Sequence, residues 1–109
     1  MYQSPKAVFE EKIATKLKTE PAKGKAINAK VNFAITGDQG GTWLLDCSAD
    51  PATIVAGEAP DAAVTVTMTD IDFVMLANGQ LKPEMAFLTG KLKVKGNMSL
   101  AIKLGQILV

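Results

Sequence analysis

Along residues 5–19, Val8, Phe9, Ile13, Ala14 and Leu17 fall on one helical face, and Glu10, Glu11, Lys12, Lys16 and Lys18 fall on the other. That is the period of an amphipathic helix. Ser4 before Pro5 marks its start, a hydroxyl cap followed by a residue pre-set for the first turn. Pro21 marks its end, and the spacing predicts a loop over 19–25. From 27 to 36 the period falls to two, with Val31, Phe33 and Ile35 on one face and Lys30, Asn32 and Ala34 on the other. The TGDQGG segment (36–41) is a hairpin turn. Beyond it Trp43, Leu45 and Cys47 alternate with Thr42, Leu44 and Asp46. A short strand is expected over TIVA (53–56) after Asp50-Pro51. The clearest strand is AVTVTMT (63–69), which sets Val64, Val66 and Met68 against three threonines.

Asp70 reads as the N-cap of a helix carrying Phe73, Val74, Leu76 and Ala77, with Gly79 as terminator. Pro83 opens a shorter helix with Met85, Phe87 and Leu88, which stops at Gly90. In KLKVK (91–95), Leu92 and Val94 point inward and Lys91, Lys93 and Lys95 outward. Asn97 caps a last helix from Met98 onward. Helix, strand meander, helix, strand, helix predicts an α+β fold, a sheet with helices on one face.

The last helix is unusually apolar. Over 98–108 only Ser99, Lys103 and Gln106 are polar, in one narrow stripe. The apolar arc is about twice the roughly 100° of an ordinary surface helix. Three partners suit the surplus: another helix of the same core, a second copy of the chain, or an apolar guest in a tunnel. Met75, Met85 and Met98 with Phe73 and Phe87 favour an adaptable binding surface, although methionine also fills irregular cores. A closed empty tunnel of mid-range volume costs roughly 12 kcal/mol at about 24 cal/mol per Å³, as much as a whole domain's stability. Such a space must be filled, flexible or partly collapsed.

Composition narrows the chemistry. The 109 residues argue for one domain over 1–109, and 48% hydrophobic with 21% charged residues describes a globular chain. A net charge of +1 gives no bulk attraction to nucleic acid. Histidine is absent, and all 12 basic residues are lysine. The usual neutral-pH proton shuttle and the usual bidentate anion clamp are thus both missing. The one cysteine, Cys47, points to a reducing intracellular setting, and a buried inert thiol is the expected state. No signal-peptide core, phosphate-binding glycine loop or metal-ligand spacing is present, so neither a cofactor nor a metal is expected.

The runs GGTWLLD, TVTMTDIDFVMLANGQLKPEMAF and GKLKVKGNMSLAIKL resemble the sterol-carrier-protein type 2 family of lipid-binding domains. They are most like the versions fused to peroxisomal multifunctional enzymes and hydroxysteroid-dehydrogenase-like proteins. The resemblance runs from the first helix to residue 104. It implies a five-stranded mixed or antiparallel sheet covered on one face by helices, with an apolar tunnel between the layers. It also implies non-catalytic binding of fatty acids, acyl-CoA, sterols or similar lipids and their transfer to membranes or enzymes. Matching tunnel positions are Phe33, Ile35, Trp43, Leu45, Phe73, Leu76, Phe87, Leu88, Leu92, Met98, Ala101, Ile102 and Leu104. Many members end in a peroxisomal tripeptide, whereas this chain ends Ile107-Leu108-Val109, which leaves a peroxisomal or a cytoplasmic setting open. The apolar end is expected to fold back as a lid.

Lys91, Lys93 and Lys95 share one strand face, either as a solvated surface or as a contact for anionic head groups and membranes. Asp70 and Asp72 are better explained by helix capping than by catalysis. A monomeric lipid carrier is the leading expectation. A dimerisation module built on the last helix competes with it, and an enzyme relying on carboxylates, lysines and Cys47 is the weakest reading.

Overall fold

A computed structural model describes residues 2–49 and 52–108, so the Asp50-Pro51 step and Val109 lie outside the described residues. The first helical rod is continuous but changes winding: α1 is Pro5–Ala7, a π-helical stretch covers Val8–Ile13, and α2 is Ala14–Thr19. Ser4 caps it as expected, its hydroxyl accepting from the Ala7 amide. The wider turns still bury Val8, Phe9 and Ile13 together. The region expected as a loop is instead a helix, α3, Pro21–Ile27. Pro21 ends one helix and opens the next, because its fixed φ suits a first helical position. Glu20 bridges the two through Lys16 (3.0 Å) and Lys23 (3.1 Å).

Five strands follow the order β3-β2-β1-β4-β5, with β1 Lys30–Thr36, β2 Gly41–Asp46, β3 Thr53–Ala56, β4 Val64–Thr69 and β5 Lys93–Gly96. Only β1 and β4 run parallel, and every other pairing is antiparallel. The sheet is therefore mixed, as the expected fold class requires. Register aligns the inward residues in rows. Phe33 faces Trp43 on one side and Val66 on the other, and Val66 faces Val94. The opposite face is not wholly solvated. Asn32, on the face opposite Val31 and Phe33, is 7% exposed and holds the backbone of Ala59, donating to its carbonyl (2.8 Å) and accepting from its amide (2.9 Å). A carboxamide meets both backbone groups at once, so the β3–β4 loop is fastened without an unpaired polar atom.

The remaining helices are α4 Asp70–Ala77, α5 Pro83–Leu88 and α6 Met98–Leu108. The cap of α4 is Thr69, not Asp70: the Thr69 hydroxyl accepts from the Asp72 amide (3.1 Å). Asp70 stands one residue further in, and its carboxylate accepts from the amides of Gln39 (3.1 Å) and Ile71 (2.9 Å). It thereby ties the β1–β2 turn to the helix start, where negative charge is favourable. Gly37 makes this approach feasible, since its φ is +101° and a Cβ there would collide with the Asp70 carboxylate.

Phe9 joins the layers. Its ring stacks on Trp43 (centroids 4.8 Å) and on Phe73 (4.9 Å), and meets Phe33 edge-on at 5.3 Å. First helix, sheet and α4 thus share one aromatic cluster. Phe9→Ala is expected to lower unfolding free energy by about 3–5 kcal/mol, read as a fall in the urea midpoint at unchanged slope.

Candidate functional site

The buried apolar side chains form one cluster over the middle of the sheet, and an open apolar groove lies at one edge of it. Helix α5 is the reason. Only Ala86 of its six residues is buried. The Ala86 carbonyl accepts from the amides of Lys91 (2.9 Å) and Leu92 (3.0 Å), which pins the helix to the chain leading into β5. Phe87 and Leu88 are left outside the core, and Leu88 is 77% exposed.

Helix α6 supplies the facing wall. Gly96 lets the chain leave β5 beside β4: its φ is +109°, and a Cβ there would meet the Ala63 carbonyl. Asn97 then starts the helix, its side-chain oxygen accepting from the Ser99 (3.0 Å) and Leu100 (3.3 Å) amides. One side of α6 turns Leu104 and Ile107 into the core. Lys103 donates to the Ala26 carbonyl (3.2 Å) near the end of α3, a favourable place for a cation. The other side presents Met98, Ala101, Ile102 and Gly105, spaced i, i+3, i+4 and i+7. Between the two helices, Leu92 and Val94 complete a groove of about 600 Å³, which Pro83 and Glu84 also line. That volume lies within the small-molecule range. The groove opens to solvent, so the cost of a sealed void does not arise.

The structure divides the expected tunnel residues into two sets. Phe87, Leu88, Leu92, Met98, Ala101 and Ile102 line the groove. Phe33, Ile35, Leu45, Phe73, Leu76 and Leu104 are buried in the core, and Trp43 packs half-buried on Phe9; none of these seven lines the groove. Sequence reasoning selected apolar faces, and a face looks the same whether it meets protein or empty space. Pro83, Glu84, Val94 and Gly105 were not among the expected residues. The α5 period carried a signal for Glu84, since it precedes Phe87 by three and Leu88 by four.

Lys93 and Lys95 alternate with Val94 along β5, opposite Thr67 and Thr65 of β4. They therefore stand on the sheet face away from the groove, and are not placed to meet a head group inside it. The end of the chain differs from expectation as well. Of the residues expected as a lid, Ile107 is 1% exposed and packs in the core, while Val109 lies outside the described residues. Cys47 is 4% exposed. Burial, helped by the neighbouring Asp46 charge, pushes its thiol up to about 11, so it stays protonated at neutral pH. No helix among the described residues is long and apolar enough to cross a membrane.

The profile of the SCP-2 sterol transfer family matches residues 9–109. The chain belongs to that family. It is similar to hydroxysteroid dehydrogenase-like protein 2 of Bos taurus and of Homo sapiens, 48% identical to each over 85 residues. The match covers 77% of this chain but only 20% of those relatives, so the chain spans about a fifth of their length. Among solved structures it is similar to apo sterol carrier protein 2 from Yarrowia lipolytica, with 28% identity and a TM-score of 0.72 over 94% of this chain and 81% of that one. It also resembles the palmitate complex of sterol carrier protein-2 from Aedes aegypti, at 24% identity and a TM-score of 0.79, covering 100% of this chain and 97% of that one. The sterol-transfer fold thus has the mixed five-stranded sheet and one-sided helical layer described above.

The division between core and groove has a thermodynamic signature. Leu104→Ala should cost about 2–5 kcal/mol in denaturant unfolding, as expected of a buried leucine. Ile102→Ser, at a 74% exposed position two residues earlier on the same helix, should shift stability by less than about 0.5 kcal/mol.

Proposed function

We propose that the chain is a non-catalytic lipid-binding and transfer domain that takes one lipid molecule into the α5–α6 groove. The observation that carries this reading is the exposure of Phe87, Leu88, Met98 and Ile102 around a single apolar groove of about 600 Å³. Large apolar side chains left to water in a cluster mark a surface that is covered in use. The ligand class is fatty acids, acyl-CoA, sterols or similar lipids. Membership of a sterol transfer family supports it, as does the palmitate complex of the Aedes aegypti protein. Binding is driven by desolvation: each buried methylene contributes about 0.8 kcal/mol, while the polar head stays towards the groove mouth. Release at a membrane follows from the same exposure, since Leu88 and Ile102 exchange one apolar surround for another.

A carrier role without catalysis accords with a chain that has neither histidine nor arginine and whose one thiol is buried and protonated. Because the match covers only 20% of the relatives' length, the domain is read as acting with lipid-metabolising enzymes, fused or separate, in the cytoplasm or the peroxisome. A dimer sealing the same groove is the competing reading. Native mass spectrometry of freshly purified protein, followed by lipid extraction, separates the two. A monomer carrying one lipid equivalent is expected, and Leu88→Ser with Ile102→Ser should weaken uptake of a fluorescent fatty acyl probe at least about tenfold, since two apolar contacts of about 1 kcal/mol or more are lost. A dimer that takes up no lipid overturns the reading.

Lys93 and Lys95 on the outer face of β5, with Lys91 two residues before the strand, are assigned to transient contact with anionic membranes, worth about 1 kcal/mol per lysine near the surface. Changing Lys91, Lys93 and Lys95 together to glutamine should slow lipid transfer to anionic vesicles and leave transfer to neutral vesicles unchanged. Equal slowing with both kinds would refute membrane contact through these residues.

A further inference from the structure

We infer that Glu84 makes the groove selective for head groups that are uncharged hydrogen-bond donors or cations, and disfavours free carboxylates. The inference rests on the lipid-binding reading and deepens it. Among the described residues Glu84 is the only charged side chain in the lining, and every other lining residue is apolar or glycine. It stands one helical turn before Phe87 and Leu88, on the face of α5 that lines the groove. Among the described residues no ion pair or hydrogen bond engages it. Lys82 and Lys91 flank α5, and among the described residues neither forms an ion pair with Glu84; Lys93 and Lys95 are on the opposite face of β5, and Lys103 is bound to the Ala26 carbonyl beside α3.

A carboxylate can only accept hydrogen bonds. It therefore suits the hydroxyl of a sterol or long-chain alcohol, and suits an ammonium head still better. It repels a fatty-acid carboxylate held at the same end. Two unit charges about 4 Å apart in bulk water differ from a neutral pair by about fivefold in affinity, and the effect grows where the groove excludes water. Because Glu84 is exposed, salt weakens the preference.

The test uses three probes with the same sixteen-carbon tail, hexadecylamine, hexadecanol and palmitate, each displacing an uncharged fluorescent sterol at neutral pH. For the unchanged protein the expected order is amine, alcohol, palmitate, with about fivefold between successive probes, narrowing as salt rises. Glu84→Gln should bring the three within about twofold, and Glu84→Lys should reverse the order. An order that is flat, or that survives Glu84→Gln, overturns the inference while lipid binding stands. Failure of the sterol and of all three probes to bind overturns the lipid-binding reading and the inference with it.

Discussion

The stacking of Phe9 between Trp43 and Phe73 is the contact on which the rest of the arrangement depends. It seats the first helical rod on the middle of the sheet and brings α4 against the same ring. Aromatic rings at these distances bury a large apolar area at the joint between the layers. The π-helical winding over Val8–Ile13 belongs to this solution, because it accompanies the burial of Val8, Phe9 and Ile13 together. Lys12, on the same stretch, donates to the Ala77 carbonyl at the end of α4 and reinforces the joint from outside the core.

The apolar groove opens where the helical layer is short. That place is the β5 edge. There α5 is too short to bury more than Ala86, and α6 spends one side on the core. Ala101 and Gly105 keep the groove wall low, and Gly96 permits the tight passage from strand to helix that positions it. The groove is thus a consequence of helix length and residue size at one edge, not of a cavity carved from the core. Its open form also explains how a small domain carries so much apolar surface without the cost of a sealed void.

Polar groups divide in the same way. Asn32 and Asp70 fasten loops to the sheet and helix, and their hydrogen bonds are satisfied within the protein. Glu84 has no such duty and faces the groove. The chain contains few groups suited to proton transfer, and its thiol is sealed in an apolar setting, which fits a binding role better than a reactive one.

The sequence by itself determined the inward sheet face, the helix starts at Ser4 and Asn97, and the greasy character of α6. Each of these follows from periodicity and capping, which are local. It misplaced the cap of α4 by one residue and took α3 for a loop, because Pro21 is as good an opening residue as a closing one. Only the tertiary structure decided which apolar residues meet each other and which meet open space. Phe33 and Leu88 are indistinguishable by hydropathy pattern, yet one is 1% exposed and the other 77%. The physical reason is that burial depends on whether a second element, distant in sequence, arrives to cover a face. A one-dimensional pattern records the face but not its covering.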